Sequence, residues 1–204
     1  MNDTATKEYA EYLLKQELVP WKQWLHVQLP YRMHLHHLRT GRTLDIGCGI
    51  GRNLIALENS LGVDHNPHCI DICHSRGLTA YLPEALHANA EEHHGSFDSL
   101  LLSHILEHMQ PEDAEALLLE YLPYLKPQGK IIIITPQEAG YRADKTHVTF
   151  VDFTQVDRIF KVVSAQRSKA YSFPFPRFVG CFFKHNEFVS IAEIGCRMSI
   201  ESEL

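Results

Sequence analysis

The chain is poor in the features that mark several protein classes. It has no apolar run approaching the length of a membrane span, and its first residues, Met1 to Glu8, contain no apolar signal core. Its five cysteines, Cys48, Cys69, Cys73, Cys181 and Cys196, are odd in number and form no disulfide framework, so reduced thiols are expected. Basic residues are in deficit: 19 Lys and Arg against 25 Asp and Glu give a formal net charge of -6. That balance argues against a nucleic-acid partner, because a phosphate backbone needs a dense basic face. Internal repeats, low-complexity tracts and linker-like composition are also missing. With 204 residues, 45% hydrophobic and 22% charged, the expectation is one soluble, cytoplasmic globular domain, with its oligomeric state open.

What is present begins at Thr43-Leu44-Asp45-Ile46-Gly47-Cys48-Gly49-Ile50-Gly51-Arg52-Asn53. A short apolar strand meets an acid, and three alternating glycines follow. Glycine tolerates positive φ and lets a ligand approach the backbone. The dinucleotide fingerprint G-x-G-x-x-G receives a pyrophosphate at a helix N-terminus. Here the pattern is D-x-G-x-G-x-G, and a carboxylate beside the turn suits a ligand with a cationic end. Leu61-Gly62-Val63-Asp64-His65-Asn66-Pro67 follows, with an acid at a strand end placed to accept both ribose hydroxyls of an adenosine. Asn66 and Pro67 read as the N-cap and first turn of a helix closing at Gly77. Further along come Gly95-Ser96-Phe97-Asp98-Ser99-Leu100-Leu101-Leu102-Ser103-His104-Ile105-Leu106-Glu107-His108-Met109 and Asp144-Lys145-Thr146-His147-Val148-Thr149-Phe150.

From Thr43 onward, strands predicted at 43–46, 61–64, 78–82, 99–103 and 130–135 alternate with helices at 52–58, 66–75, 111–125 and 153–160. This pattern implies a parallel sheet covered on both faces. Segments 160–173 and 186–194 read as two closing strands. Residues 7–38 read as one or two helices. Trp21, Trp24, Leu25, Leu29 and Tyr31 would pack there as core, or partly as a lid over a substrate pocket.

Together the glycine turn, Asp64 and the 95–109 segment resemble the class I S-adenosylmethionine-dependent methyltransferases of small-molecule type. The resemblance implies a Rossmann-like three-layer αβα sandwich, its mostly parallel seven-stranded sheet ending in an antiparallel strand. Residues 43–204 would form the methyltransferase domain and 1–42 a helical cap. It implies S-adenosylmethionine as cofactor, held by Asp45, Gly47, Cys48, Gly49, Arg52 and Asn53 of the turn. Asp64 and His65 would lie at the ribose, and Ser103 and His104 at the pocket mouth. Adenine would meet either Glu84 and Ala85 or Asn89-Ala90-Glu91, the former pair fitting better by distance from Gly77. His104 and His147 are the candidate catalytic side chains. His147 would orient an acceptor or take its proton, unless it is a helix-entry histidine bonded to backbone. Glu107 and His108 read as residues stitching the loop to the next helix, and Cys48 as a small filler.

No metal is expected. His34-Leu35-His36-His37 and the group His65, His68, Cys69, Cys73 and His74 both lack the spacing of a zinc framework. The implied reaction is displacement at a sulfonium methyl by a small-molecule acceptor. Two rival readings stand: a catalytically silent S-adenosylmethionine-binding scaffold, and a nicotinamide-dependent oxidoreductase on a similar fold, for which no catalytic Tyr-Lys pair is visible.

Overall fold

A computed structural model describes residues 6–17, 29–38 and 40–195. Seven strands form one sheet: β1 (Thr43–Ile46), β2 (Leu61–Val63), β3 (Ala80–Tyr81), β4 (Phe97–Ser103), β5 (Leu125–Pro136), β6 (Ala165–Phe173) and β7 (Glu187–Ile194), in the order β3-β2-β1-β4-β5-β7-β6. The first five run parallel, and β7 pairs antiparallel with both β5 and β6. This is the expected Rossmann-like sheet with its antiparallel last strand.

Helices α1 (Lys7–Glu17), α2 (Leu29–His37), α3 (Pro67–Ser75), α4 (Pro83–Ala88), α5 (Ala90–His93), α6 (Pro111–Tyr121), α7 (Glu138–Ala143) and α8 (Phe153–Val162) surround it. Side chains alternate across each strand, so neighbouring apolar residues serve opposite faces. Leu44, Ile46, Leu100, Leu102, Ile131 and Ile133 pack with Leu118 and Tyr121 of α6 and Val156, Ile159 and Phe160 of α8. Leu101, Ile132, Ile134, Val189 and Ile191 pack on the other face with Leu35 of α2. Burying each such side chain stabilises the fold by about 1.5–3 kcal/mol.

Several boundaries differ from the sequence reading for local reasons. The helix expected at 52–58 is a single 3-10 turn, Leu54–Ala56, followed by extended Leu57. Only seven residues separate Asn53 from β2. An α-helix rises just 1.5 Å per residue, so one tight turn and an extended return reach the amino edge instead. α6 stops at Tyr121 and tightens into a 3-10 turn over Leu122–Tyr124, because Pro123 lacks the amide a continuing helix needs. β3 is a two-residue edge strand, cut short by Pro83 at the start of α4. Residues 160–162 belong to α8 rather than to β6: Asp152 caps that helix through Thr154 and Gln155 amides at 2.9 and 3.0 Å, and Phe160 stays on its buried face. Asn66 caps α3 as expected, accepting from the His68 and Cys69 amides at 2.9 and 3.4 Å.

Trp21, Trp24, Leu25 and Cys196 lie outside the described residues, as does the side chain of Leu29. No described helix is long and apolar enough to cross a membrane.

Candidate functional site

The carboxyl ends of β1, β2 and β4 meet where the strand order reverses, the usual ligand crevice of an open α/β sheet. Gly47, Gly49 and Gly51 adopt φ of +72°, +52° and +80°, a left-handed path that side chains resist. The path turns the loop's amides inward. Gly47 and Cys48 both donate to the Val63 carbonyl at 2.8 and 3.0 Å, and Gly51 donates to Cys48 at 3.0 Å. Gly49 donates to Asp64 Oδ2 at 2.8 Å. None of these four amides is left to cradle a phosphate.

Carboxylates occupy the position instead. Asp45 sits on the face of β1 opposite Leu44 and Ile46 and is fully buried. Its Oδ1 accepts from the Asn53 amide at 3.2 Å, while Oδ2 has no hydrogen-bond partner. Burial pushes its pKa up to about 7 against the opposing pull of that hydrogen bond. Asp64 accepts the Gly49 amide on one oxygen and the Asn66 amide on the other, at 2.9 Å, so it braces turn and helix entry together. His65 Nδ1 lies 3.7 Å from Asp64 Oδ1, its side chain largely exposed. Arg52 is exposed and close enough to influence Tyr9, Tyr31 and Asp45.

Cys48 is a filler, but it faces inward: its thiol packs with Leu54, Ile70, Cys73 and Ala80, away from the crevice. A hydrogen bond with Cys73, burial and the nearby Asp45 hold its pKa well above the ordinary thiol value, so it is no nucleophile. Glu84 and Ala85 are exposed in the first turn of α4, beyond the end of β3, where the Tyr81 carbonyl accepts the Asp64 amide at 3.2 Å. α5, carrying Ala90 and Glu91, leads to His93, whose ring lies 6.2 Å from Phe97 at the opposite end of β4.

The N-terminal helices reach this crevice. α1 packs Ala10, Leu13 and Leu14 against Ile50, Cys69 and Ile72, placing Leu13 over the glycine turn. Tyr9 lies near Asp64 and Asp144, and burial, with those two charges, raises its pKa to about 12. Tyr31 packs against the Leu35 cluster and bonds Ser103 Oγ through its hydroxyl at 2.8 Å.

Beyond Ser103 the chain turns sharply. His104 has φ +57°, and its ring bridges two acids: Nε2 lies 2.8 Å from Glu187 Oε1, and Nδ1 lies 3.3 Å from Glu107 Oε1. Burial pushes its pKa down, but the carboxylates of Glu187 and Glu107 outweigh burial and hold it up at about 10. His104 is therefore an imidazolium at neutral pH, unsuited to be a general base. His147 is almost fully buried, with Nδ1 2.9 Å from the Tyr141 carbonyl and Nε2 3.9 Å from Glu107 Oε1. His108 lies edge-on to it, ring centroids 4.8 Å apart, and contacts Thr146 Oγ1 through Nδ1 at 3.1 Å. Burial, the largest effect, and neighbouring His147 lower the His108 pKa.

The two motifs are clasped together. The Glu107 carbonyl accepts the Val148 and Thr149 amides at 2.8 and 3.1 Å, and Thr149 Oγ1 donates to the Met109 carbonyl at 2.8 Å. The sequence reading singled out Glu107, His108 and His147 separately; it lacked the contact that joins them. In the histidine tracts it did weigh, His34 stacks on Phe173 at 3.9 Å and His74 meets the Ala80 carbonyl at 2.8 Å, while His36, His37 and His65 are exposed. A cleft of about 880 Å³ opens at the amino edge of the sheet, lined by Arg42, Asn59, Thr79, His93 and Asp98, and holds none of the motif side chains at the crevice.

Comparison with known proteins matches residues 44–133 to the methyltransferase domain family. No curated protein matches the sequence. The fold is similar to a methyltransferase from Archaeoglobus fulgidus described as S-adenosylmethionine-dependent, at 20% identity and a TM-score of 0.62 over 84% of this chain and 99% of that one. A TehB-like methyltransferase from Corynebacterium glutamicum matches at 15% identity and a TM-score of 0.63, over 93% and 100% of the two chains. The 1,6-didemethyltoxoflavin N1-methyltransferase of Burkholderia thailandensis, solved with its substrate and S-adenosylhomocysteine, matches at 18% identity and a TM-score of 0.56 over 96% and 92%.

Proposed function

We propose that the chain, whose residues 44–133 match the methyltransferase domain family, is a class I methyltransferase that transfers a methyl group from S-adenosylmethionine to a small-molecule acceptor. One observation carries the choice of cofactor: the glycine turn spends its amides internally and leaves carboxylate oxygens at the crevice. A pyrophosphate would find acceptors facing it. A ligand with an ammonium and two ribose hydroxyls finds partners, the ammonium at the unpaired Asp45 Oδ2 and the hydroxyls at the remaining lone pairs of Asp64.

S-adenosylmethionine supplies a methyl activated on a sulfonium. The chain's residues then position the acceptor in line with that methyl and exclude water. Tyr9 and Tyr31 support a closing role for the N-terminal helices, with residues 1–42 as a cap. Phe175, Phe178 and Phe182 are exposed on the β6–β7 connection, beyond the carboxyl end of β5, and would offer apolar surface to a small acceptor with an apolar body. The Burkholderia methyltransferase of similar fold, solved with 1,6-didemethyltoxoflavin, is consistent with a small-molecule acceptor. The two carboxylates that hold His104 protonated make it a poor general base, whereas His147, with only Nδ1 committed to a backbone carbonyl, keeps Nε2 for an acceptor or an ion.

Calorimetric titration with S-adenosylmethionine and with NAD tests the cofactor. The expected result is binding of the first and not of the second; the reverse overturns the proposal. Release of S-adenosylhomocysteine across a panel of acceptors then separates an enzyme from a silent binder.

A further inference from the structure

Glu107 is fully buried; its Oε1 faces His104 Nδ1 at 3.3 Å, and its Oε2 has no hydrogen-bond partner. One ligand atom each from Glu107, His108 and His147 lies within 4.8 Å of the other two. The outer contacts of both imidazoles decide which nitrogen is available. His147 Nδ1 donates to the Tyr141 carbonyl at 2.9 Å, which leaves the lone pair on Nε2, the atom 3.9 Å from Glu107. His108 Nδ1 meets Thr146 Oγ1 at 3.1 Å, and that hydroxyl itself donates to Asp144 Oδ1 at 2.7 Å, so His108 also keeps its lone pair on Nε2. A carboxylate and two imidazoles, each imidazole with one nitrogen committed to an outer oxygen, therefore stand close together, with His104 Nδ1 also 3.3 Å from Glu107 Oε1. Each imidazole is fixed in tautomer by an outer-shell oxygen, as metal-binding histidines are.

We propose that Glu107, His108 and His147 form a binding site for one divalent first-row transition-metal ion. Two imidazoles and one carboxylate suit Zn(II), Mn(II), Fe(II) or Co(II) better than Mg(II) or Ca(II), which prefer all-oxygen sites. Ligand bonds of about 2.0–2.2 Å require the three side chains to close by about an ångström around the ion. Three protein ligands leave coordination positions open for water or an acceptor oxygen. The site adjoins the methyltransferase crevice: Glu107 and His108 come three and four residues after His104, and Tyr9 of α1 feels both Asp64 and Asp144.

Resting on the methyltransferase reading, the ion would anchor a hydroxyl-bearing acceptor and promote loss of its proton to water. The oxygen lone pair would then form the new O–C bond while the S–C bond breaks and its electrons stay on sulfur.

The test is metal binding itself. Chelator-stripped protein is dialysed against Zn(II), Mn(II) or Co(II), and bound metal per chain is measured, with the Co(II) absorption spectrum reporting ligand type. The expected result is one ion per chain. Glu107→Gln and His147→Ala should each weaken binding by about 100-fold or more, and Thr146→Val, which keeps every ligand, by about 10–100-fold. His36→Ala, in the exposed part of the histidine tract, should leave binding unchanged. If Glu107→Gln fails to fold, the Thr146→Val and His147→Ala results stand in its place. Absence of binding at millimolar metal, or binding lost with His36→Ala and retained in the other variants, overturns the site. Titration of the stripped protein with S-adenosylmethionine separates the two proposals: cofactor binding without metal binding overturns this site alone, and metal binding without cofactor binding supports the site and overturns the cofactor assignment.

Discussion

Replacing Asp64 with Ala separates two duties that the structure loads onto one carboxylate. Asp64 accepts the Gly49 amide at 2.8 Å and the Asn66 amide at 2.9 Å. A hydrogen bond to a charged group contributes about 1.5–3 kcal/mol, so losing both at the lower figure destabilises the fold by about 3 kcal/mol. In a protein of this size that lowers Tm by roughly 6–12 °C. If the same carboxylate also takes the ribose hydroxyls, affinity for S-adenosylhomocysteine falls by a further 1.5–3 kcal/mol, roughly 10–150-fold. Asn66→Ala is the control. It removes the cap on His68 and Cys69 and the Nδ2 hydrogen bond to the Thr6 carbonyl, and lowers stability by about 2 kcal/mol without a specific loss at the ribose. Scanning calorimetry and ligand titration on both variants decide the matter. A Tm change under about 2 °C in Asp64→Ala would refute the brace. An unchanged affinity in the folded variant would refute the ribose assignment.

Asp45 makes stability and binding depend on pH in opposite senses. Its folded pKa, about 7, lies above the unfolded value, so the neutral form stabilises the ligand-free fold at low pH. That contribution is lost as pH rises from about 4 through 7, and ligand-free Tm should fall over the same window. Asp45→Asn should flatten that fall, raise Tm at pH 8 and weaken S-adenosylmethionine binding. At pH 6 the cofactor's ammonium should displace the Asp45 proton, so calorimetric heats should vary with buffer ionisation enthalpy; no proton release there defeats the pairing. Among the glycines, Gly47→Ala puts a Cβ 2.4 Å from Ile105 Cδ1 at φ +72°, whereas Gly49→Ala meets Leu13 Cδ1 at 3.5 Å. The second should cost only left-handed strain, about 1–2 kcal/mol, and the first a further 1–3 kcal/mol of overpacking; equal melting temperatures would contradict this.

The parallel core of the fold was legible because β1, β4 and β5 carry apolar runs buried on both faces, a pattern with few structural meanings. Helix lengths were less so. Nothing in Arg52 to Glu58 announces a 3-10 turn; the short span to β2 imposes it, and that span is measured only once the sheet is assembled. At the site, the glycine turn was legible by its spacing, but the reason for Gly47 was not. A side chain there strikes Ile105, more than fifty residues ahead in the chain, before it could meet any ligand. The capping role of Asn66 was readable locally, since its partners are the next two amides. The bracing role of Asp64 was not, since one partner is Gly49 in another turn.

Glu107 shows why a structural and a chemical reading need not compete for one residue. The sequence suggests that Glu107 and His108 stitch a loop in place, and Glu107 does so, but through its backbone carbonyl, which holds the Val148 and Thr149 amides. That bond pulls the 144–149 segment onto the turn after β4 and brings His147 to within 3.9 Å of the Glu107 carboxylate. The side chain takes no part in the stitching. It is left buried, Oε1 facing His104 Nδ1 at 3.3 Å and Oε2 without a hydrogen-bond partner, beside two imidazoles whose outer nitrogens are already committed. A buried carboxylate with one oxygen unsatisfied costs the fold more than a neutral group left in the same state. The neighbouring His104 imidazolium offsets part of that charge, with its Nε2 held by Glu187. A bound cation would satisfy the remainder. Metal loading should therefore raise Tm in proportion to the logarithm of free metal above the dissociation constant. Thr146→Val should shift that curve to higher metal without lowering the metal-free stability by more than about 1–2 kcal/mol. A metal-free protein as stable as the loaded one, at metal concentrations well above the measured dissociation constant, would contradict this linkage.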